Sequence, residues 1–346
     1  MHRKRLGKSD LLVSAIGLGA QFWGGDQDKD EAFRQLDFAV DHGVNLIDTA
    51  EIYPVPYSES TWGNSERIIG LWLERKKARD KIIVATKIAG RSSEFPYIRN
   101  GMLKLDKCNI ESAVNESLKR LKSSYIDLLQ IHWPDRATNF FGQLGYRHSE
   151  NADETPIEET LKALQRLIEC GKIRAVGVCN ETAWGLMRYL SLAKESGHPR
   201  IASNQSPYNL LNRTLETSQA EMVMREEFSL LGYSPLAHGA LTGKYRRGSI
   251  PSGSRYEKYP FFRRYKGVRA VEASETYVDL AYKYDLSPSQ AAIAFLLTRP
   301  FVTGVLVSAS NVEQLKSNIE GAMLSLPAGY IDDVEAYHGS NPNPAT

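Results

Sequence analysis

The chain has 346 residues, 42% hydrophobic and 24% charged, with a net charge of +2. That length can bury a large core and suits one α/β barrel as a single domain over residues 1–346. The near-neutral balance, without a concentrated basic stretch, argues against a nucleic-acid partner. No run approaches the ~18 consecutive apolar residues needed to span a bilayer, and Cys108, Cys170 and Cys179 have neither metal-ligand nor redox spacing.

The N-terminus begins basic and turns apolar, but the run alternates and is broken by Ser14 and glycines, so it reads as folded structure rather than a signal peptide. With three scattered cysteines this predicts a soluble, cytoplasmic protein. Short apolar runs then recur along the chain. "SAIGLG" (14–19) is followed by a helical period at Phe33, Leu36 and Val40, and "VNLID" (44–48) comes next. "KIIVATK" (81–87) precedes the period Ile110, Val114, Leu118 and Leu121. "IDLLQIH" (126–132) precedes Ile157, Leu161, Leu164 and Ile168. "IRAVGVC" (173–179), "IASNQ" (201–205), "FSLLGYS" (228–234) and "FVTGVLV" (301–307) complete the set. Gly43 and Gly171 stand where helices end, and Pro156 and Pro288 where helices begin.

Apolar runs without alternation mark strands buried on both faces, hence parallel strands with helical crossovers. Eight of them predict a closed (β/α)8 barrel of the TIM type. The alternative, a doubly wound sheet, would want G-x-G-x-x-G after its first strand, and "GLGAQFWGG" is not that motif. In a barrel the chemistry sits where strands end. The second strand ends in Asp48, with Tyr53 five residues on; the third ends in Lys87 and the fourth in His132. Each alone has an ordinary structural use: a turn, a snorkelling amine, a hydrogen-bonded imidazole. Their clustering on three adjacent strand tips points to chemistry.

The chemistry that fits is proton donation by a phenol. A tyrosine near its ordinary value of about 10 donates more readily if lowered toward 7, which requires roughly 4 kcal/mol of phenolate stabilisation. An ammonium nearby supplies much of it, provided that an anion such as Asp48 holds the lysine charged. His132 would orient a carbonyl beside the same oxygen. Glu51 has no such partner in this scheme and reads as a loop residue.

"NLIDTAEIY", "VATKIAG", "LLQIHWPD" and "GKIRAVGVCNE" resemble the signatures of the aldo-keto reductase family from about residue 3 to residue 325. "AEIYPVPYSESTWG", "HWPDRATNFFGQLGYRHS" and "NQSPYNLLNR" are most similar to its bacterial Tas-like branch. The resemblance implies a catalytic tetrad of Asp48, Tyr53, Lys87 and His132, an N-terminal β-hairpin, extended loops and C-terminal helices. It also implies NADPH lying extended across the barrel mouth. Asn180 and Gln205 would hold the carboxamide, Tyr233 would stack on nicotinamide, and Ser234, Leu236 and Lys244 would line the pyrophosphate path. Ser310, Gln314 and Asn318 would meet the adenosine phosphate, on the hydroxyls, amides and helix N-terminus of "SASNVEQLKSN"; the same "SASN" also suits a plain cap for a helix over 312–323.

Cys179 stands where the family often has serine, Ser308 where lysine or glycine occurs, and Ser317 where an acid is common, so NADH stays open beside NADPH. Arg255 is the candidate for a 2′-phosphate; Arg263 and Arg264 are alternatives for the same contact, although the reading favours a solvated loop for those two. Aromatic residues after the first, second and fourth strands, among them Trp23, Trp62 and Trp133, suit an apolar or ring-bearing carbonyl substrate. Two further readings compete: a cofactor-binding regulatory or partner-binding subunit with vestigial turnover, and a barrel hydrolase. The seven histidines include no H-x-H or H-E-x-x-H, so no metal is expected. A glycosidase would need acids where His132 and Tyr233 stand.

Overall fold

The computed structural model describes residues 1–149 and 153–345. The chain runs through β1 (Arg3–Arg5), β2 (Leu12–Ser14), β3 (Ile16–Gly19), α1 (Lys29–Asp41), β4 (Leu46–Asp48), α2 (Asn64–Lys76) and β5 (Ile83–Ile88). It continues through α3 (Lys107–Leu121), β6 (Ile126–Ile131), α4 (Ile157–Glu169), β7 (Ile173–Cys179), α5 (Ala183–Ser196), β8 (Ile201–Pro207) and α6 (Ala220–Glu226). Next come β9 (Ser229–Tyr233), α7 (Arg255–Lys258), α8 (Val268–Lys283), α9 (Pro288–Leu297), β10 (Val302–Val307), α10 (Val312–Gly321) and α11 (Ala328–Ser340). Strands β3 to β10 close into an eight-stranded parallel barrel in the order β10-β3-β4-β5-β6-β7-β8-β9, and β1–β2 form a separate antiparallel hairpin. Each of the eight apolar runs is a barrel strand, with ends shifted by two residues or fewer.

Local chemistry explains the boundaries. Asp28, Asp106, Thr182 and Asn311 cap α1, α3, α5 and α10 through side-chain acceptors, each satisfying an amide with no partner in its own helix. Pro156 precedes α4 and Pro288 opens α9, where a missing N–H costs nothing.

The two-residue period of the strands divides the barrel into layers. Leu46, Ile83, Ala85, Leu128, Ala175, Ala202, Leu231 and Leu306 fill the interior together with Leu6, Leu11 and Val13 from the hairpin region. Continuing in the same phase toward the C-terminal mouth, β4 reaches Asp48, β5 reaches Lys87 and β6 reaches Gln130. The alternation that fills the core below therefore aims polar side chains inward above. Gly177 makes this possible on β7: a Cβ there would lie 2.6 Å from Ser203 Oγ and 3.1 Å from Gln130 Cγ. Outward-facing Val84, Ile88, Leu129, Ile131, Val176 and Val178 join Trp72 and Phe295 in the larger core under the helices.

The hairpin plugs the opposite end. Lys4 Nζ donates to Val302 O at 2.8 Å and the Gly7 amide to Ser229 Oγ at 2.8 Å. Gly7 has φ +56, and a Cβ there would stand 2.5 Å from Ala202 O. Gly7→Val should therefore lower unfolding free energy by about 1–3 kcal/mol, read by urea denaturation. The kcat of the folded variant should be unchanged, because floor and mouth are at opposite ends of the barrel.

Candidate active site at the barrel mouth

Lys87 is 1% exposed. Its ammonium donates to Asp48 Oδ2 at 2.5 Å and to Thr49 O at 2.8 Å. A lysine ammonium has three N–H donors, so one remains, and Nζ stands 5.4 Å from the Tyr53 ring centroid. The other Asp48 oxygen accepts from Gln130 Nε2 at 3.0 Å and Gln205 Nε2 at 2.9 Å. The carboxylate thus ties four strands into one network. Gln130 escaped the sequence reading; its signal was an amide inside the apolar run "IDLLQI".

Tyr53 packs edge-on against His132, with centroids 5.8 Å apart. Burial, and after it the influence of Tyr57, Asp48, Cys179 and Tyr233, raises the Tyr53 phenol well above its ordinary value. This is opposite to the direction expected from a neighbouring lysine alone, because burial penalises the phenolate more than the ammonium favours it. Tyr53 is therefore a protonated phenol at neutral pH. His132 is held below the ordinary histidine range by burial and by the positive Lys87, so it is a neutral imidazole; its buried Nδ1 meets no partner among the described residues.

Glu51 does belong to the loop after β4, but it is buried, with Arg99 donating through Nη1 to Oε2 at 2.5 Å and through Nη2 to Oε1 at 3.0 Å. Its Oε1 also accepts from the Ala89 amide at 2.6 Å, and its own amide donates to Lys87 O at 3.1 Å. This clamp pins the segment between Asp48 and Tyr53 to the loop after β5.

Above the network opens a cleft of about 1550 Å³, lined by Asp48, Tyr53 and His132. Asn180, Gln205, Tyr233, Ser234 and Leu236 also stand on its wall, together with Lys244, Arg255, Ser310, Gln314 and Asn318. Asn180 Nδ2 donates to His132 O at 2.9 Å and its Oδ1 accepts from Tyr233 OH at 2.7 Å. Burial pushes the Cys179 thiol up to about 12, which keeps it neutral beside Gln205 Oε1 at 3.8 Å. After β10, Asn311 caps α10 by accepting from the Gln314 amide at 2.9 Å, so "SASN" is both a cap and, through Ser308 to Ser310, a cleft wall.

Lys244 and Arg255 are lowered by burial, and among the described residues no carboxylate offsets either. Arg264 is not the solvated loop residue expected: it lines the cleft beside the Tyr233 and Tyr265 hydroxyls. Arg255 opens α7 and lies over the Phe22 ring at 4.7 Å.

Of the three tryptophans, only Trp133 lines the cleft; its Nε1 donates to Arg91 O at 3.1 Å and its ring stacks on Phe95 at 6.1 Å. Trp23 is 1% exposed and turned into the core beneath the helices, leaving its neighbour Phe22 on the wall. Trp62 lies under Arg120, whose guanidinium is 5.1 Å from its ring, and does not reach the cleft. Side-chain direction in a loop follows no period, which is why these two expectations are corrected. Removing one partner of the buried clamp through Arg99→Met would strand the Glu51 charge and should cost about 3–5 kcal/mol in urea unfolding, with Glu51→Gln/Arg99→Met less damaging than Arg99→Met alone.

Comparison with known proteins agrees with this geometry. A model of the aldo/keto reductase family matches residues 15–337. The chain is 44% identical to "Protein tas" of Escherichia coli (strain K12) over 338 residues, 98% of each chain. It is 29% identical to the "NADH-specific methylglyoxal reductase" of the same strain, covering 94% of this chain and 95% of that one. It is also 32% identical to a "Probable voltage-gated potassium channel subunit beta" of Arabidopsis thaliana, covering 92% and 90%. With a family model spanning most of its length and a 44% identical relative from end to end, the chain belongs to the aldo/keto reductase family.

Proposed function

We propose that this oxidoreductase reduces an aldehyde or ketone to the alcohol, using NADPH, with Tyr53 as the proton donor. The observation that carries the proposal is a protonated phenol in a cleft whose wall holds Lys244, Arg255 and Arg264 with no carboxylate among the described residues to offset them. Cations left unpaired in a partly buried cleft suit a phosphate-bearing ligand.

Tyr53 gives its hydroxyl proton to the substrate oxygen. The phenolate so formed is stabilised by the remaining N–H of Lys87, whose charge Asp48 keeps in place; each pKa unit recovered is about 1.4 kcal/mol. Neutral His132 hydrogen-bonds the carbonyl oxygen and orients it. When bound, the dinucleotide supplies a hydride to the carbonyl carbon. Gln205 spends its amide N–H on Asp48 and presents its oxygen to the carboxamide, with Asn180 beside it. Tyr233 is held by Asn180 as a platform for the nicotinamide ring. Ser234, Leu236 and Lys244 serve the pyrophosphate, Arg255 the 2′-phosphate, and Ser310, Gln314 and Asn318 the adenosine end. Trp133 bounds the substrate side.

Tyr53→Phe should lower kcat for a panel of aldehydes by about 10²–10⁴-fold while NADPH still quenches tryptophan fluorescence. Unchanged turnover would remove Tyr53 from the role of acid, and a wild-type protein that binds NADPH but turns over no carbonyl would favour a regulatory subunit. Arg255→Gln should weaken NADPH by about 10–100-fold, the worth of a hydrogen bond to a charged group, and NADH much less. Equal losses for both would move Arg255 to the diphosphate.

A further inference from the structure

His238 has no place in the scheme above. It sits in the turn after β9 with φ +57, followed by Gly239 at φ +96. A non-glycine residue in this region is uncommon, and here the turn brings the imidazole to the wall of the cleft. The ring lies 4.9 Å from Phe262 and 4.9 Å from Tyr265, and its buried Nδ1 has no hydrogen-bond partner among the described residues. Lys244 packs against the next residue: a Cβ on Gly239 would stand 2.7 Å from Lys244 Cε and 3.0 Å from its Nζ. The charged groups acting on the ring are Arg255 from α7 and Arg264 and Lys266 from the following loop, all positive. The Tyr265 hydroxyl is engaged by Asn209 Nδ2 at 2.9 Å.

We infer that His238 is a proton-linked phosphate contact, neutral in the free protein and taking up one proton when a phosphate-bearing ligand enters the cleft. This rests on the proposal that the ligand's phosphates lie along Lys244 and Arg255. Burial first, and then three cations, hold the imidazole below its ordinary range; a ligand phosphate reverses the local sign and favours the imidazolium, which then donates to it. Binding and protonation are reciprocal, so affinity rises as pH falls through the window between the free and bound values. For one linked proton the limit is about tenfold in Kd per pH unit.

The test is calorimetric titration with NADPH and NADH between pH 6 and pH 8, in buffers of different ionisation enthalpy, for wild type, His238→Gln and His238→Asn. Subtracting the variants cancels protons moved by Lys244 or by the ligand itself. Wild type is expected to take up as much as one proton more than either variant with both dinucleotides, and its Kd to depend more steeply on pH. Binding with equal proton uptake overturns the role of His238 and leaves the cofactor proposal standing, whereas no binding of either dinucleotide overturns both. Should the variants not fold, imidazole NMR of wild type at pH 7 decides: one of the seven histidines becomes charged on adding NADPH, and none doing so overturns the inference.

Discussion

An ammonium sealed inside a barrel survives only if its hydrogen bonds and its charge are both answered nearby, since desolvation costs several kcal/mol per ion. Lys87 meets that condition with Asp48 and the Thr49 carbonyl, and Asp48 in turn needs Gln130 and Gln205. Satisfying one buried charge thus aligns the ends of β4, β5, β6 and β8. One ammonium N–H is left over, with Nζ 5.4 Å from the centroid of the Tyr53 ring. Removing the ion pair would disturb the geometry of the mouth as well as the chemistry.

The rest of the architecture keeps that network dry and stationary. Below it, the strand interior is apolar and closed by Leu6, Leu11 and Val13. Beside it, the Glu51–Arg99 clamp holds the short segment that carries Tyr53. Above it, the cleft joins aromatic walls at Trp133 and Phe95 to the cations Lys244, Arg255 and Arg264. The raised phenol of Tyr53 and the lowered imidazole of His132 follow first from the same burial.

Much of the site was legible because strands obey a two-residue period. Asp48, Lys87 and His132 each close an apolar run, so their convergence at one end of a barrel could be inferred before any distance was known. The aromatic loops obeyed no such rule. Trp23 and Phe22 are adjacent in sequence, yet packing buries the first in the core and leaves the second in the cleft. Arg264 sits in a basic, aromatic stretch that resembles a solvated loop, and only the fold brings it to Tyr233. Gln130 was hidden by its apolar neighbours.

The sequence by itself determined the eight-fold alternation of strand and helix, the polar strand tips and the family resemblance, because these depend on periodicity and on residues close along the chain. Tertiary structure alone decided which loop residues face the cleft, what answers Glu51, and the burial that shifts Tyr53 up and His132 and His238 down. Those outcomes depend on burial and on charges brought together from distant segments, and neither is encoded in local spacing.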